Sequence, residues 1–248
     1  MQVRQVLDIE YRLLPGADRR TTDIVIERDG QVTARPPLQM TPEQVDQTVL
    51  SKRLWIYRNL AEWRDLNATR VTREWASGES FLYLGSSYRL SLVDTQGEAL
   101  KLKDGRFLLT RAVAQAGGDA AHRVFEDFYT SKGLPRLQRR VDWFAQKVGV
   151  TAGAVQVRDL GYRWATCLPQ GDLHFHWKCL MVPLTLIDYI VVHELCHLHH
   201  RDHSAAFWNE VDKILPDYRD RKEALRRMGA QLAFPADKAA SAPDGKKS

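Results

Sequence analysis

Apolar and polar residues alternate along Val6–Leu13 and Asp23–Arg28, the period of a strand with one buried face. Asp29-Gly30 is a tight-turn pair leading into a further strand, Gln31–Arg35, and Pro36-Pro37 closes that unit. The period then changes. Thr41-Pro42-Glu43-Gln44 reads as a helix start, with threonine as N-cap, proline in the first turn and glutamine completing a capping box. Val45, Val49, Leu54, Tyr57 and Leu60 follow at helical spacing and predict one long helix to about Asn67. Alternation returns in Phe81–Leu84, Tyr88–Val93, Ala99–Lys103 and Arg106–Thr110, with Asp104-Gly105 as a hairpin turn. Beyond Gly117-Gly118, Asp119 reads as the N-cap of a helix whose Val124, Phe125, Phe128 and Tyr129 face inward. Gly133-Leu134-Pro135 reads as the start of another, with Leu137, Val141, Phe144 and Val148 on one face.

Short strands are expected at Val155–Arg158, Tyr162–Cys167 and Leu173–Cys179, the last two joined by a turn at Pro169–Asp172. In Leu173–Cys179 the apolar Leu173, Phe175, Trp177 and Cys179 alternate with His174, His176 and Lys178, which places the histidines on the face away from the core. Leu184–Val192 is apolar nearly all round, the pattern of a helix enclosed by a core. Ser204 reads as the cap of a helix carrying Phe207, Trp208, Val211 and Ile214, and Leu225 and Met228 indicate one more after Pro216. These elements predict an α+β protein: a β-rich region with one long helix over 1–117, then a domain over 118–234 with a small antiparallel sheet and a buried helix. The small, polar, Pro- and Gly-bearing tail over 235–248 reads as disordered.

The chemistry sits at the end of the apolar run, in His193-Glu194-Leu195-Cys196-His197. Helical residues four apart share a face, so His193 and His197 can present two imidazoles to one ion, and two neutral nitrogens suit Zn²⁺. Glu194 stands beside the first ligand, where it can reach a zinc-bound water as general base. The competing interpretation is a pair of hydrogen-bonded core histidines, but unpaired polar groups are costly to bury and a core helix has little cause to carry three. Candidates for a third ligand are His199, His200 and His203. The polar break Arg201-Asp202 allows a change of direction that brings His203 back from outside the helix, leaving His199 and His200 at the solvated helix end. His203 is the choice.

At lower weight, Arg163 and Tyr218 are candidate oxyanion donors, and His174 and His176 candidate cleft residues if their strand borders the cleft. If the preceding turn centres on Gln170-Gly171, Cys167 falls opposite His174 and Cys179 opposite Tyr162, which argues against a disulfide between them.

The stretch His193–Trp208 resembles the signature of the YgjP-like metallopeptidases, relatives of the SprT- and Spartan-type zincins. Their pattern is His-Glu-Leu-x-His-Leu, a short gap, then His-Ser-x-x-Phe-Trp, matched here by His203, Ser204, Phe207 and Trp208. Upstream, Arg163-Trp164-Ala165-Thr166-Cys167 stands where the family usually has Arg-Trp-Gly-Ser-Cys, and His176 before Trp177 where it often has Asn. The resemblance implies a zincin-like, SprT-like fold, His193, His197 and His203 as ligands of one Zn²⁺ per chain, Glu194 as catalytic base, and a peptide or protein substrate. Its specific motifs run from about Arg163 to Tyr218.

Composition narrows the rest. No apolar run is long enough to span a bilayer, the first residues lack the pattern of a signal peptide, and the three cysteines form no disulfide framework, so a cytoplasmic location is expected. The net charge of +5 is spread through the chain, which reads first as solvated helix faces. Its second reading is weak nucleic-acid association, either as a DNA-associated zinc module or as a protease of DNA-bound proteins. A zinc site that cleaves nothing, and a hydrolase of non-peptide amides, are the remaining alternatives. Oligomeric state is not encoded in any of these patterns.

Overall fold

The N-terminal alternation is realised as a hairpin. The computed structural model describes residues 2–19, 21–26, 30–68, 73–161 and 163–232. Strands β1 (Gln2–Val6) and β2 (Ile9–Leu13) pair antiparallel, where one strand from Val6 was expected. Leu7 takes φ 54°, a left-handed conformation that turns the chain back instead of extending it. With β3 (Asp23–Ile26) and β4 (Val32–Arg35) they form a sheet in the order β1-β2-β4-β3. The turn expected at Asp29-Gly30 lies partly outside the described residues. The capping box is present, Thr41 N–H donating to Gln44 Oε1 at 2.9 Å. The single long helix is instead two, α1 (Pro42–Ser51) and α2 (Arg53–Ala68), broken at Lys52. At about 100° per residue Ile56 falls on the side of Val45 and Val49 and Leu54 on the opposite side, so Ile56 is fully buried and Leu54, expected inside, is 74% exposed. Ile9, Tyr11, Val32, Ala34, Val45, Val49 and Ile56 make this unit's own core. On its edge Asp46 accepts from Arg4 at 2.6 Å and from the Tyr11 hydroxyl at 2.7 Å.

The chain forms two compact units, one over Met1–Arg70 and one over Val71–Asp237. The division therefore falls well before the boundary read at Gly118. The reason is packing: the second sheet shares its core with the helices that follow it. That sheet, in the order β5-β6-β8-β7, comprises β5 (Ser80–Tyr83), β6 (Ser86–Val93), β7 (Leu100–Lys103) and β8 (Arg106–Thr110). Asp104 and Gly105 both take positive φ, as a tight hairpin turn requires. A short α3 (Arg111–Gln115) leads into α4 (Gly118–Val148), one helix of 31 residues where two were expected. Gly117, not Asp119, occupies its N-cap position. Pro135 does not break it. Phe125, Tyr129, Gly133, Leu137, Val141, Phe144 and Val148 are a continuous buried stripe, while Pro135 is exposed and its missing hydrogen bond falls on the solvated side.

Gly133 lies in that stripe because α4 touches the segment preceding the histidine helix there. A Cβ at Gly133 would stand 2.6 Å from Leu180 Cδ2, and Leu180 is fully buried. Gly133→Ala is therefore expected to destabilise the fold by about 1–2 kcal/mol, overpacking outweighing the gain in helix propensity. Urea denaturation checks this, and an unchanged or higher midpoint would mean that Leu180 moves aside.

The third sheet has the order β10-β11-β9, from β9 (Val155–Arg158), β10 (Ala165–Cys167) and β11 (Leu173–His176). It is mixed, not purely antiparallel: β11 runs antiparallel to β10 and parallel to β9. Cys167 pairs with Leu173 and Thr166 with His174, one residue off the expected register. The three cysteines are free thiols. Tyr162, expected to open β10's strand, lies outside the described residues. The strand expected to reach Cys179 stops at His176, and Trp177–Met181 is a 3₁₀ turn capped by the His176 ring, which accepts from Lys178 N–H at 3.0 Å. Backbone bonds from Leu84 and Gly85 to the Leu180 and Met181 carbonyls dock the second sheet on this turn. Then follow α5 (Leu184–Cys196), α6 (Ala205–Ile214) and α7 (Tyr218–Gln231). In α5, Val191, Val192, Leu195 and Cys196 are fully buried, about 1.5–3 kcal/mol for each of the larger apolar side chains. No helix among the described residues is long and apolar enough to cross a membrane.

Candidate metal centre

Helix α5 ends one residue before the second histidine of the motif, and His197 is its C-cap. The N–H groups of Leu198, His199 and His200 bond the Leu195 and Cys196 carbonyls and continue the helix in one tightened turn as far as His200. The chain then bends at Arg201-Asp202, the polar break expected to supply the change of direction. It carries His203 back over the end of α5. The ring centroids of His193, His197 and His203 stand 4.8–5.0 Å apart, a nearly equilateral triangle. Phe207, fully buried, lies 4.6–4.9 Å from all three rings and forms its floor.

The donor set suits a dication. One nitrogen from each ring lies within 4.8 Å of the other two, and the His193 and His203 Nε2 atoms are 3.0 Å apart. Two nitrogens sharing a tetrahedral zinc at about 2.0–2.1 Å stand roughly 3.4 Å apart, so small side-chain adjustments close the triangle on an ion. His197 Nδ1–H donates to the His200 carbonyl at 3.0 Å; because a carbonyl only accepts, the lone pair of that ring is left on Nε2. Burial, joined by the neighbouring histidines and Lys222, pushes His193 down to about pKa 3. His197 and His203 are also lowered, chiefly by burial. Neutral imidazole is the ligating form.

Glu194, 7% exposed, is the buried carboxyl beside this cluster. Burial pushes its carboxyl up to about 8, against the opposing pull of a hydrogen bond from the Cys167 backbone N–H and of the Arg163 charge. The carboxyl therefore sits between the histidine helix and edge strand β10. Arg201 ties the same strand to the ligand loop, donating to the Leu168 carbonyl at 3.0 Å and the Pro169 carbonyl at 2.9 Å. Ser204 occupies the N-cap position of α6 but makes no side-chain cap bond; its N–H donates to Asp202 Oδ1 at 3.2 Å.

The secondary candidates fall in different places. Arg163 is exposed, and its charge reaches Glu194. His174 is half-buried on central strand β11. His176, expected to face away from the core, is 3% exposed, and its Nε2 lies 3.2 Å from Asp159. It holds a turn. Tyr218 is buried and stacked on Trp208 at 5.3 Å, and Trp208 stacks in turn with His203 at 5.6 Å. The His199 ring donates to the Val148 carbonyl at 3.1 Å, and His200 contributes its carbonyl, not its ring. That carbonyl, the Cys167 N–H and the Arg201 clamp were invisible in the sequence, because backbone groups carry no residue signature.

The family model described as YgjP-like, metallopeptidase domain, matches residues 20–228. The chain belongs to the YgjP-like metallopeptidase family. It is thus a peptide-bond hydrolase of the metallopeptidase class, and a peptide or protein substrate follows from that class. The YgjP-like match covers parts of both compact units. Among solved structures, the metallopeptidase zymogen abylysin of Pyrococcus abyssi is 27% identical, aligned over 39% of this chain and 94% of that one with a TM-score of 0.35. No curated protein matches this YgjP-like chain.

Proposed function

We propose that this YgjP-like protein is a zinc-dependent endopeptidase of the zincin type, with one Zn²⁺ held by His193, His197 and His203 and with Glu194 as general base. The observation that carries the reading is the convergence of three neutral imidazoles beside a buried carboxyl. The chemistry a bound zinc supplies is polarisation of the scissile carbonyl and acidification of a water. Glu194 takes that water's proton and passes it to the leaving amine. Its hydrogen bond from Cys167 N–H orients the carboxylate for both transfers. Arg163, whose charge reaches Glu194, is the nearby donor for the developing oxyanion.

Substrate backbone pairs with β10 in this reading. β11 lies between β10 and β9 and has no free edge, so the sheet edge beside Glu194 is that of Ala165–Cys167, whose Cys167 N–H meets the Glu194 carboxyl. His174 and His176 then support the sheet, and Tyr218 packs Trp208 behind His203.

Removal and return of metal tests the reading. A chelator is expected to abolish cleavage of quenched peptide or casein substrates, and about one equivalent of Zn²⁺ to restore it. Protein that holds one zinc yet cleaves none of these substrates would make the centre structural.

A further inference from the structure

Behind His203 the surface opens into a cavity of about 330 Å³ lined by Trp208, Tyr218, Arg219, Lys222, Glu223 and Arg226. Its floor is the Trp208–Tyr218 stack, whose rings are 5.3 Å apart and 14° from parallel. Trp208 is shared with the metal centre: its ring lies 5.6 Å from His203 and 5.8 Å from His193. The cavity and the histidine triangle are therefore separated by one indole.

The charges around the cavity are not equivalent. Arg226 is held by Glu223 through two bonds of 2.8 and 2.9 Å, and Arg219 lies 3.5 Å from Asp212 while resting on the Tyr218 ring. The Lys222 ammonium lies 4.4 Å from the centre of the Trp208 ring and, among the described residues, pairs with no carboxylate. Its charge also reaches His193 and His203. A single uncompensated cation over an aromatic floor matches one anionic group. A nucleic acid, by contrast, is held by rows of cations that each neutralise a phosphate, and here Arg219 and Arg226 are already paired.

We propose that this cavity is a subsite that takes a substrate carboxylate, with Lys222 as its cationic partner and Trp208 and Tyr218 as the surface against which the aliphatic part packs. The carboxylate is an acidic side chain near the scissile bond or the C-terminal carboxylate of a peptide. Residues along an extended substrate are about 3.3 Å apart, so a residue close to the cleaved bond can enter a cavity one ring away from the metal centre. The subsite rests on the peptidase reading above, because a bound peptide must lie across the metal centre for its side chain to reach Trp208.

The test uses the full chain, zinc-loaded and carrying Glu194→Gln so that bound peptide is not consumed. Fluorescein-labelled degenerate nonapeptide pools carry Asp, Glu, Asn, Gln or Lys at one fixed position, each with a free or amidated C-terminus, and binding is followed by anisotropy. The acidic pools, or the free-C-terminus pools, are expected to bind about fivefold tighter than their neutral counterparts, the size of one solvent-facing ion pair. Which of the two sets shows the preference identifies the source of the carboxylate. Adding Lys222→Gln should remove the preference, and Lys222→Glu should reverse it toward Lys pools. A preference unchanged by Lys222→Gln, or none in the parent, would overturn the subsite. So would a single-stranded oligonucleotide that binds through Lys222 while peptides show no acidic preference. If wild-type protein cleaves peptides without regard to acidic residues, the subsite alone fails. If it neither binds nor cleaves any pool, the peptidase reading fails and takes the subsite with it.

Discussion

Glu194→Gln is expected to lower peptide hydrolysis by about 10²–10⁴-fold, the range over which a positioned general base acts, while zinc content stays near one per chain. The substitution is nearly isosteric. The glutamine carbonyl oxygen can keep the hydrogen bond from Cys167 N–H, so the carboxyl-binding niche between α5 and β10 stays filled. What disappears is the capacity to accept a proton from water and deliver it to the leaving amine. The fold should tolerate the change, because a neutral amide in a niche only 7% exposed avoids the cost of burying a carboxylate. The measurement pairs metal analysis with turnover of a quenched peptide. Wild-type turnover in a zinc-loaded Glu194→Gln protein would remove Glu194 as base and turn attention to another proton acceptor. Loss of zinc together with activity would instead mean that the carboxylate supports the metal.

His203→Ala should reduce zinc from near one equivalent to well below one after dialysis, and abolish hydrolysis with it. His193 and His197 alone leave two nitrogens, one fewer than catalytic zinc sites usually take from protein. The loss also removes a ring packed on Phe207 and Trp208, so the triangle loses a side as well as a ligand. The informative control is His200→Ala. The His200 contribution is its carbonyl, which receives His197 Nδ1–H and survives truncation of the side chain, so zinc should be retained. Zinc retained in His203→Ala and lost in His200→Ala would exchange their roles. Zinc retained in both would place the third ligand elsewhere.

Local signals carried the motif itself. Two histidines four apart on a helix meet on one face whatever surrounds them, so His193 and His197 were legible from spacing, and the apolar run before them announced a buried helix. The capping box at Thr41 and the turn at Asp104-Gly105 were legible for the same reason, since each is settled by residues a few positions apart. The choice of His203 depended on a change of direction, and the structure brings that ring to the triangle after a bend at the same Arg201-Asp202 pair.

Long-range packing decided the rest. Pro135 reads as a break, yet α4 runs through it because a buried stripe on either side belongs to one core and the proline faces solvent. Alternation placed His176 outside, but the chain turns into a 3₁₀ segment after it, and Asp159 and Lys178 N–H hold the ring within the protein. Phe207 beneath the triangle, the Cys167 N–H on Glu194, and Lys222 over Trp208 join residues far apart in the chain. Periodicity and capping report interactions within a turn or two of backbone, so the amino-acid sequence by itself determined the helix, its two histidines and the glutamate between them. Which loop, ring and strand edge complete that centre is a matter of contacts between distant segments, and only the tertiary structure decided it.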